Sequence, residues 1–384
     1  MKSDTKYKQK LLHLLENDPF SRDNTTSVLS LLRNNNFLLY GSGDGFITFS
    51  VFILNKYGLK PNAILDRRFK SGDIFMGIPA FPPNEYSPTE EEKKDSVVVV
   101  TVGKTEYHYE IFNDLRKLGF KNILLANDIY EYHLHYAPPE VEEKGYKYFL
   151  ENKDNILHCL DILADNLSRR ILYHLIRTHM LRQPIPIPNR PVDEQYFPLD
   201  INLSKGYLRV INCGAYNGDM VRRLNKRFGK VDAIACFEPD SGNFQLLVDY
   251  LVKKHDQIAS SIIAFPCGVF SHECQLRFAS SNKTNSSISD KGESIIQCVA
   301  LDHVLPNFRP TFLQMDIEGA VLAAITGSEN LIREYKPDLA ICVYHTPSHI
   351  WEIPLYINSL NLNYRFYLRN YTSFVSETVF YATT

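Results

Sequence analysis

A strand, a glycine turn and a strand-end acid together offer the chemistry of nucleoside binding. Residues 210–213 are typical of a buried strand, and Gly214 and Gly218 follow in a turn. A second strand ends in Glu238, twenty residues past Gly218. Turn glycines let the backbone approach a ligand, and a carboxylate at this edge accepts hydrogen bonds from ribose hydroxyls. The spacing predicts an adenine-nucleoside site, and the alternative is a tight turn that binds nothing.

Two neighbouring residues refine this prediction. Pro239 directly follows Glu238 and keeps that residue extended, with its carboxylate at the carboxyl edge of the sheet. Asp219 follows the turn, where it could cap a helix or contact the ligand. The pattern Gly214-Ala215-x-x-Gly218 lacks the full G-x-G-x-x-G spacing of dinucleotide sites.

A second cluster could move protons. Asp316 closes an apolar strand, Glu318 precedes a helix, and His345 follows the next strand. Histidine titrates near neutral pH, so His345 is a candidate base. Structural alternatives stay open, because Glu318 could only complement a helix dipole and His345 could pack near Trp351. His349 is a weaker candidate.

The elements that must position these residues alternate between strand and helix in both halves of the chain. Strands are predicted at 37–40, 63–66, 97–102, 122–126, 207–211, 232–237, 262–269, 311–317, 338–344, 364–368 and 378–382. Helices are predicted at 5–34, 49–57, 110–118, 154–182, 219–228, 241–254, 320–334 and 348–360. This alternation predicts an α/β protein with two Rossmann-like, doubly wound domains.

A chain of 384 residues favours two domains. We expect a Rossmann-like domain at 1–150, a long helix and proline-rich linker at 151–200, and a second domain at 201–384. The linker prolines are Pro184, Pro186, Pro188, Pro191 and Pro198. In the first domain the glycine turn 41–45 precedes Asp66, so a nucleotide or nucleotide-sugar site and a purely structural domain both remain open. Residues 72–79 are predicted to form a loop passing that site.

The bulk composition excludes several classes of protein. A net charge of −2 gives no global basic field, so nucleic acid is not an expected partner. The seven cysteines contain no C-x-x-C pair and are odd in number, which favours a reducing cytoplasm. We expect no membrane span and no signal peptide, because no apolar run is long enough and residues 1–10 are polar. A homo-oligomer remains open.

Several spaced motifs together resemble the FkbM family of S-adenosylmethionine-dependent methyltransferases, over roughly residues 205–384. They are Cys213-Gly214-Ala215-x-x-Gly218-Asp219, Phe237-Glu238-Pro239-Asp240, Ser286-Ser287, Leu301-Asp302, Met315-Asp316-Ile317-Glu318-Gly319-Ala320 and Tyr344-His345. The chain departs from the family at Asn212-Cys213, where an Asp usually precedes the glycine, and at Val321, where a Glu is frequent.

The resemblance implies a class I methyltransferase fold in the C-terminal half and O-methylation of a sugar or polyketide hydroxyl, here on a small-molecule or glycan acceptor in polysaccharide biosynthesis. It implies that Glu238 binds the ribose and that Phe237 or Pro239 flanks the adenine. The full set of implied cofactor-binding residues is Asn212, Gly214, Ala215, Tyr216, Gly218, Asp219, Phe237, Glu238, Pro239, Cys267, Gly268 and Asp316. Asp316, Glu318 and His345 would face the acceptor as the catalytic residues.

We therefore expect His345 to act as the base, with Asp316 either orienting it or acting as the base itself. A divalent metal held by Asp316, Glu318 and His345 is an alternative on ligand type, although we expect no metal. Two other functions remain as alternatives. One is an NAD(P)-dependent oxidoreductase that uses both glycine turns, and the other is a non-catalytic nucleoside-binding module.

Overall fold

The computed structural model describes most of the chain, in ten segments. They are residues 4–16, 31–33, 36–103, 107–126, 129, 147–181, 187–279, 287–288, 294–372 and 375–384. Some predicted features lie outside these residues, namely Ser286, Pro184, Pro186 and residues 17–30 of the first predicted helix.

The chain divides into two compact units. The N-terminal unit comprises residues 14–148 and 174–186. The C-terminal unit comprises residues 1–13, 149–173 and 187–384. Both contain a sheet of mainly parallel strands with helices in the connections, which confirms the predicted α/β class and the two doubly wound sheets.

The N-terminal unit has a six-stranded sheet in the order β3-β4-β2-β1-β5-β6. Its strands are β1 (Phe37–Tyr40), β2 (Ala63–Leu65), β3 (Asp73–Phe75), β4 (Ile78–Phe81), β5 (Val97–Val100) and β6 (Asn122–Leu125). The connections contain α2 (Asp44–Phe49), a π-helical segment (Ser50–Asn55), α3 (Glu90–Asp95) and α4 (His108–Lys117). Strands β1, β2 and β5 are buried along their whole length, as continuous apolar runs require.

One predicted loop of this unit is wrong. Residues 72–79 contain an antiparallel hairpin, in which β3 pairs with β4. The two residues between the strands, Met76 and Gly77, have φ values of 50° and 77°. Two positive φ values at the centre of a two-residue turn match the twist of a hairpin, so the turn joins the strands tightly.

The C-terminal unit has a seven-stranded sheet in the order β16-β17-β15-β14-β7-β8-β9. Its strands are β7 (Arg209–Cys213), β8 (Val231–Phe237), β9 (Ala259–Phe265), β14 (Phe312–Met315), β15 (Asp338–Cys342), β16 (Arg365–Asn370) and β17 (Thr378–Thr383). Five of these strands are parallel, and β17 pairs antiparallel with both β15 and β16. A smaller sheet has the order β10-β13-β11-β12 and comprises β10 (Gly268–Val269), β11 (Cys274–Ala279), β12 (Ser287–Ile288) and β13 (Ser294–Val299).

The remaining helices are α1 (Asp4–Glu16), α5 (Lys147–Glu151), α6 (Lys153–Ile162), α7 (Asn166–Leu181), α8 (Asp219–Phe228), α9 (Ser241–Ile258), α10 (Leu301–Val304), α11 (Val321–Thr326), α12 (Glu329–Tyr335) and α13 (His349–Ser359), with a 3₁₀ turn at Val192–Glu194. Within the described ranges, no helix combines the length and the apolar character needed to cross a membrane.

Three predicted elements are interrupted in the structure. The helix expected at 154–182 breaks after α6, where Leu163 forms a bridge with Phe366 and the Ala164 amide donates to the Phe366 carbonyl at 2.8 Å. The helix expected at 320–334 breaks at Gly327, where a Cβ would lie 2.2 Å from the Phe270 carbonyl oxygen. The strand expected at 262–269 divides into β9 and β10, which belong to different sheets. In each case a tertiary contact overrides the local sequence pattern.

Candidate functional site

The turn after β7 requires glycine. The amides of Gly214 and Ala215 both donate to the Phe237 carbonyl, at 3.0 and 2.9 Å. Gly214 has a φ of 79°, and a Cβ at this position would lie 2.0 Å from the carbonyl oxygen of Asp316. The turn is therefore packed directly against the residue that follows β14, and a side chain has no space there.

Glu238 lies beside this turn, at the carboxyl end of β8. Its Oε2 accepts the amide of Tyr216 at 2.7 Å, and its Oε1 accepts the amide of Asp240 at 2.8 Å. The residue is only 6% exposed, and burial raises its pKa despite these two hydrogen bonds. The main chain thus fixes both carboxylate oxygens at the sheet edge, and the structure brings together Glu238 and the predicted turn.

Helix α8 begins where the turn ends. Gly218 is its N-cap with a φ of 87°, and no side chain caps this helix. Asp219 is the first helical residue, and burial raises its pKa, with the Asp316 charge adding to the effect and the Met220 amide opposing it. The capping geometry instead belongs to Asp240, which accepts the Asn243 amide at the start of α9. Asp219 therefore places a carboxyl group at the turn without serving as its cap.

Asp316 and His345 form an ion pair at the ends of β14 and β15. His345 Nε2 lies 2.9 Å from Asp316 Oδ1, and Asp316 also accepts the hydroxyls of Tyr196 at 2.7 Å and Tyr344 at 3.3 Å. Burial alone would raise the pKa of Asp316, but His345 and Tyr196 hold that pKa below its usual value. Burial alone would lower the pKa of His345, yet the bonded carboxylate raises it. The pair is thus biased towards carboxylate and imidazolium.

Glu318 is partly buried in the short loop between Asp316 and α11. Burial raises its pKa, the charge of Asp316 raises it further, and the charge of His345 opposes both. Its electrostatic environment therefore includes the same ion pair.

Sequence reasoning missed three residues of this cluster. Tyr196 and Gln195 come from the segment predicted to be a linker, and Tyr196 has a φ of 67°. Gln195 Nε2 donates both to the Tyr196 hydroxyl and to Glu377, which lies in the turn before β17. Glu377 has a φ of 57°, and burial raises its pKa to about 7. Positive φ at non-glycine residues is uncommon and concentrates at functional sites, but the sequence carries no spacing signal for it.

Other predicted residues have different surroundings. Asn212 is fully buried, and its side chain donates to Gln314 on the neighbouring strand β14. The ring of Phe237 is 1% exposed and stacks on Phe265, with centroids 4.6 Å apart. The structure therefore places the side chains of Asn212 and Phe237 in the protein interior.

The remaining predicted residues are Pro239, Cys267, Gly268 and His349. Pro239 is half-buried beside Glu238, whereas Cys267 and Gly268 are buried at the junction between β9 and β10. Burial raises the pKa of Cys267 to about 11, so this thiol stays protonated at neutral pH. Burial lowers the pKa of His349 to about 4, with the charge of His345 adding to the effect. His349 is therefore a neutral side chain of the interior at physiological pH.

In the part of the chain that the structure describes, no group of three or more His, Cys, Asp or Glu side chains is arranged to hold a metal ion. Asp316 and His345 bind each other. The cluster as a whole has four carboxyl groups and one imidazole, contributed by Asp219, Asp316, Glu318, Glu377 and His345. An excess of acid at a sheet edge can bind a positively charged group and can exchange protons.

In the N-terminal unit, the acid that follows the predicted nucleotide turn, Asp66, has side-chain partners. Asp66 accepts the amide and hydroxyl of Ser42 at 2.9 and 2.8 Å, and it forms an ion pair with Arg68 at 2.9 Å. Burial alone would raise the pKa of Asp66, but these bonds lower it strongly. The Ser42 hydroxyl and the Arg68 side chain thus occupy the carboxylate of Asp66, whereas main-chain amides hold that of Glu238.

Comparisons with known proteins agree with this geometry. A family model described as "Methyltransferase FkbM domain" matches residues 212–373. A crystal structure of methyltransferase FkbM from Methylobacillus flagellatus KT matches with a TM-score of 0.70 and 22% identity, covering 99% of this chain and 100% of that one. Aeropyrum pernix fibrillarin, solved with natively bound S-adenosyl-L-methionine, matches at a TM-score of 0.30 and 11% identity, covering 48% and 70% of the two chains, a likeness too low to support a fold assignment. No curated protein matches the sequence.

The crystal structure match concerns the fold, and it is consistent with the class I methyltransferase fold predicted for the C-terminal half. The family model spans the glycine turn, Glu238 and the Asp316–His345 pair, which are the features that the sequence motifs indicated. Residues 212–373 of this chain therefore match the FkbM methyltransferase domain.

Proposed function

We propose that this protein transfers a methyl group from S-adenosylmethionine to an oxygen atom, on a sugar hydroxyl in glycan or polysaccharide biosynthesis. The observation that carries the proposal is the position of Glu238. Two main-chain amides hold its carboxylate at the sheet edge beside a turn that excludes side chains. A fixed acceptor of this kind suits a ribose diol.

Other residues at this edge of the sheet support the same cofactor. Gly214, Ala215 and Gly218 form a turn whose backbone can approach the methionine portion of a ligand. The acidic cluster of Asp219, Asp316, Glu318 and Glu377 complements a molecule that carries a sulfonium and an ammonium group. A nicotinamide dinucleotide carries two phosphate charges, which this excess of carboxyl groups would repel.

The residues at the acceptor end mainly align the reaction. When bound, S-adenosylmethionine supplies a methyl group on a positively charged sulfur, and the C–S bonding pair returns to sulfur as the new O–C bond forms. The protein then needs to hold the acceptor oxygen in line, which is a proximity effect. Asp316 and the hydroxyls of Tyr196 and Tyr344 form a hydrogen-bonded group that we assign to orienting an acceptor hydroxyl.

We propose for His345 a role other than that of the base expected from sequence. A base must accept a proton, whereas the pairing with Asp316 raises the pKa of His345 and favours the imidazolium, in which both ring nitrogens are protonated. We therefore propose that His345 keeps Asp316 ionised and in place. The sugar acceptor itself is proposed from the FkbM resemblance, and hydroxyl-rich partners suit this polar acceptor end.

Binding of the product cofactor tests the proposal directly. Titration calorimetry with S-adenosylhomocysteine should show one site per chain, and NADH should not bind. Glu238→Gln removes the charge but keeps the shape, and a hydrogen bond to a charged group contributes about 1.5–3 kcal/mol, so affinity should fall about 10- to 100-fold.

The matched control is Glu334→Gln, which makes the same chemical change at an exposed position of α12. It should leave the affinity unchanged. The proposed function would be excluded if calorimetry detects no binding of S-adenosylhomocysteine to wild-type protein that circular dichroism shows to be folded. Transfer of tritium from labelled S-adenosylmethionine to a panel of hexoses and deoxyhexoses then tests the sugar acceptor.

A further inference from the structure

We propose that Glu377, held beside the Asp316–His345 pair by Gln195, is the side chain that accepts the proton of the methyl acceptor. This inference rests on the proposed function. The fold explains how Glu377 reaches the site. Strand β17 runs antiparallel to β15, so its first residues lie beside the carboxyl end of β15, where the Val343 amide donates to the Thr378 carbonyl at 3.0 Å. Glu377 directly precedes β17, at the same edge of the sheet as His345.

The local structure holds Glu377 in an uncommon conformation. Its φ of 57° is rare outside glycine and costs about 1 kcal/mol or more. The Tyr371 amide donates to its carbonyl at 3.2 Å, and Gln195 Nε2 donates to its Oε2. Gln195 also donates to the Tyr196 hydroxyl, which in turn donates to Asp316. One chain of hydrogen bonds thus connects Glu377 to the Asp316–His345 pair, and a carboxylate with about four acceptor sites retains capacity for a further donor.

The surrounding charges give Glu377 the proton affinity that a base at neutral pH needs. Burial raises its pKa to about 7, and the negative charges of Asp316 and Asp219 add to this effect. The hydrogen bond from Gln195 and the positive charge of His345 oppose it. Its other titratable neighbours are Tyr196, Cys342 and Tyr344, whose own pKa values lie well above the usual range and which are therefore neutral. An acid–base catalyst works best when its pKa lies near the operating pH.

Its neighbours are less suited to this role. Asp316 accepts three hydrogen bonds, and His345 holds its pKa low, so it is a weak base. His345 is biased towards the imidazolium. In the proposed step the O–H bonding pair stays with the acceptor oxygen, and the proton passes to a carboxylate oxygen of Glu377, which later returns it to water.

A measurable consequence follows for cofactor binding. Without cofactor, the raised pKa of Glu377 leaves this carboxyl group partly protonated near neutral pH. A sulfonium placed among these acids favours the carboxylate, so binding of S-adenosylmethionine should expel that proton. S-adenosylhomocysteine lacks the sulfonium charge and should expel less. The affinity for S-adenosylmethionine should therefore rise between pH 6 and pH 8, because at low pH binding must displace a proton.

Calorimetry in two buffers with different ionisation enthalpies measures this release without any methyl acceptor. At pH 7 the wild-type protein should release more protons with S-adenosylmethionine than with S-adenosylhomocysteine. Glu377→Gln should abolish the difference, and Glu334→Gln should retain it. Gln keeps the volume of Glu and retains one accepting oxygen for Gln195, and circular dichroism checks that the variant folds.

The outcomes separate this inference from the proposed function. Equal proton release in the wild-type protein and in Glu377→Gln overturns the role of Glu377, while cofactor binding itself stands. Loss of the release in Glu318→Gln rather than in Glu377→Gln also overturns it. Failure of both cofactors to bind the wild-type protein removes the proposed function and this inference with it.

With the hexose panel as acceptor, Glu377→Gln should lower kcat by about 10²- to 10⁴-fold and remove the acidic limb of the pH profile near 7.

Discussion

At the scale of single residues, Gly214 shows how closely the turn after β7 packs against the end of β14. Its positive φ and the nearby carbonyl of Asp316 are independent reasons against a side chain. The positive φ raises the energy of any residue other than glycine at this position. An added Cβ would also clash with the Asp316 carbonyl and force β14 away from β7, which would move Asp316 away from the turn.

We therefore expect Gly214→Ala to lower the free energy of unfolding by about 4 kcal/mol or more, because strain and a main-chain clash add. Denaturant unfolding measures this effect. Gly206→Ala is the matched control, since Gly206 has a φ of 66° but nothing within 4 Å of its Cβ position. The free energy of unfolding of Gly206→Ala should fall by only the conformational cost of the positive φ, about 1–2 kcal/mol. Equal losses in the two variants would contradict the proposed clash.

At the residue scale, the sequence predicted the proximity of residues where short-range spacing carries the signal. The turn glycines and Glu238 are separated by one helix and one strand, so their meeting follows from the βαβ plan. Tyr196 and Glu377 reach the cluster through contacts more than 100 residues distant in sequence, and neither belongs to a spaced motif. An isolated glutamate in a turn resembles any other solvated glutamate until the strand order is known.

At the scale of elements, a buried arginine joins the start of α7 to β16. Arg369 is 1% exposed, and it forms ion pairs with Asp165 at 2.6 Å and with Asp200 at 2.9 Å. It also donates to the Ser168 hydroxyl at 3.0 Å. This network explains why α7 begins where it does, since Asp165 also accepts the Ser168 amide at the first turn. The sequence pattern of apolar residues continued through this break and could not reveal it.

Arg369→Met should lower the free energy of unfolding by about 3–5 kcal/mol, because two acids lose their buried partner. The wild-type protein should also lose stability in acid. Burial alone would raise the pKa of Asp165, but Arg369 lowers it, so the stabilisation is present above the unfolded-state pKa and disappears as pH falls through the folded one.

Denaturant unfolding between pH 3 and pH 7 checks both statements. Arg365→Met is the control, because Arg365 lies at the exposed start of the same strand and its loss should change stability by no more than about 0.5 kcal/mol. A variant at Arg369 with the stability and acid sensitivity of the wild-type protein would refute the role of this network.

At the scale of the whole molecule, the compact C-terminal unit is not one continuous stretch of sequence. The sequence predicted a domain beginning at residue 201, whereas this unit also contains residues 149–173 and 187–200. Phe149 packs edge-on against Trp351, with centroids 5.9 Å apart, and the Ala164 amide bonds to β16. Composition and a proline-rich stretch indicated a boundary, but they could not show which core an earlier helix joins.

We accordingly expect a fragment of residues 201–384 to be much less stable than one of residues 147–384. The shorter fragment exposes the faces of Trp351 and Phe366 that the earlier residues cover, and it leaves Arg369 without Asp165. Thermal unfolding and aggregation during purification provide the comparison. Equal melting temperatures would mean that residues 147–200 contribute nothing to this unit.

The two amides that fix Glu238 have a thermodynamic consequence for selectivity. Because the carboxylate is already oriented in the empty protein, ligand entry needs little reorganisation, and little rotamer entropy is lost at this position. The favourable binding enthalpy of a ribose ligand should then be offset by only a small entropic cost. A 2′- or 3′-deoxy analogue would instead leave a desolvated carboxylate without the ribose hydroxyl, so discrimination against deoxyribose should exceed the value of one ordinary hydrogen bond.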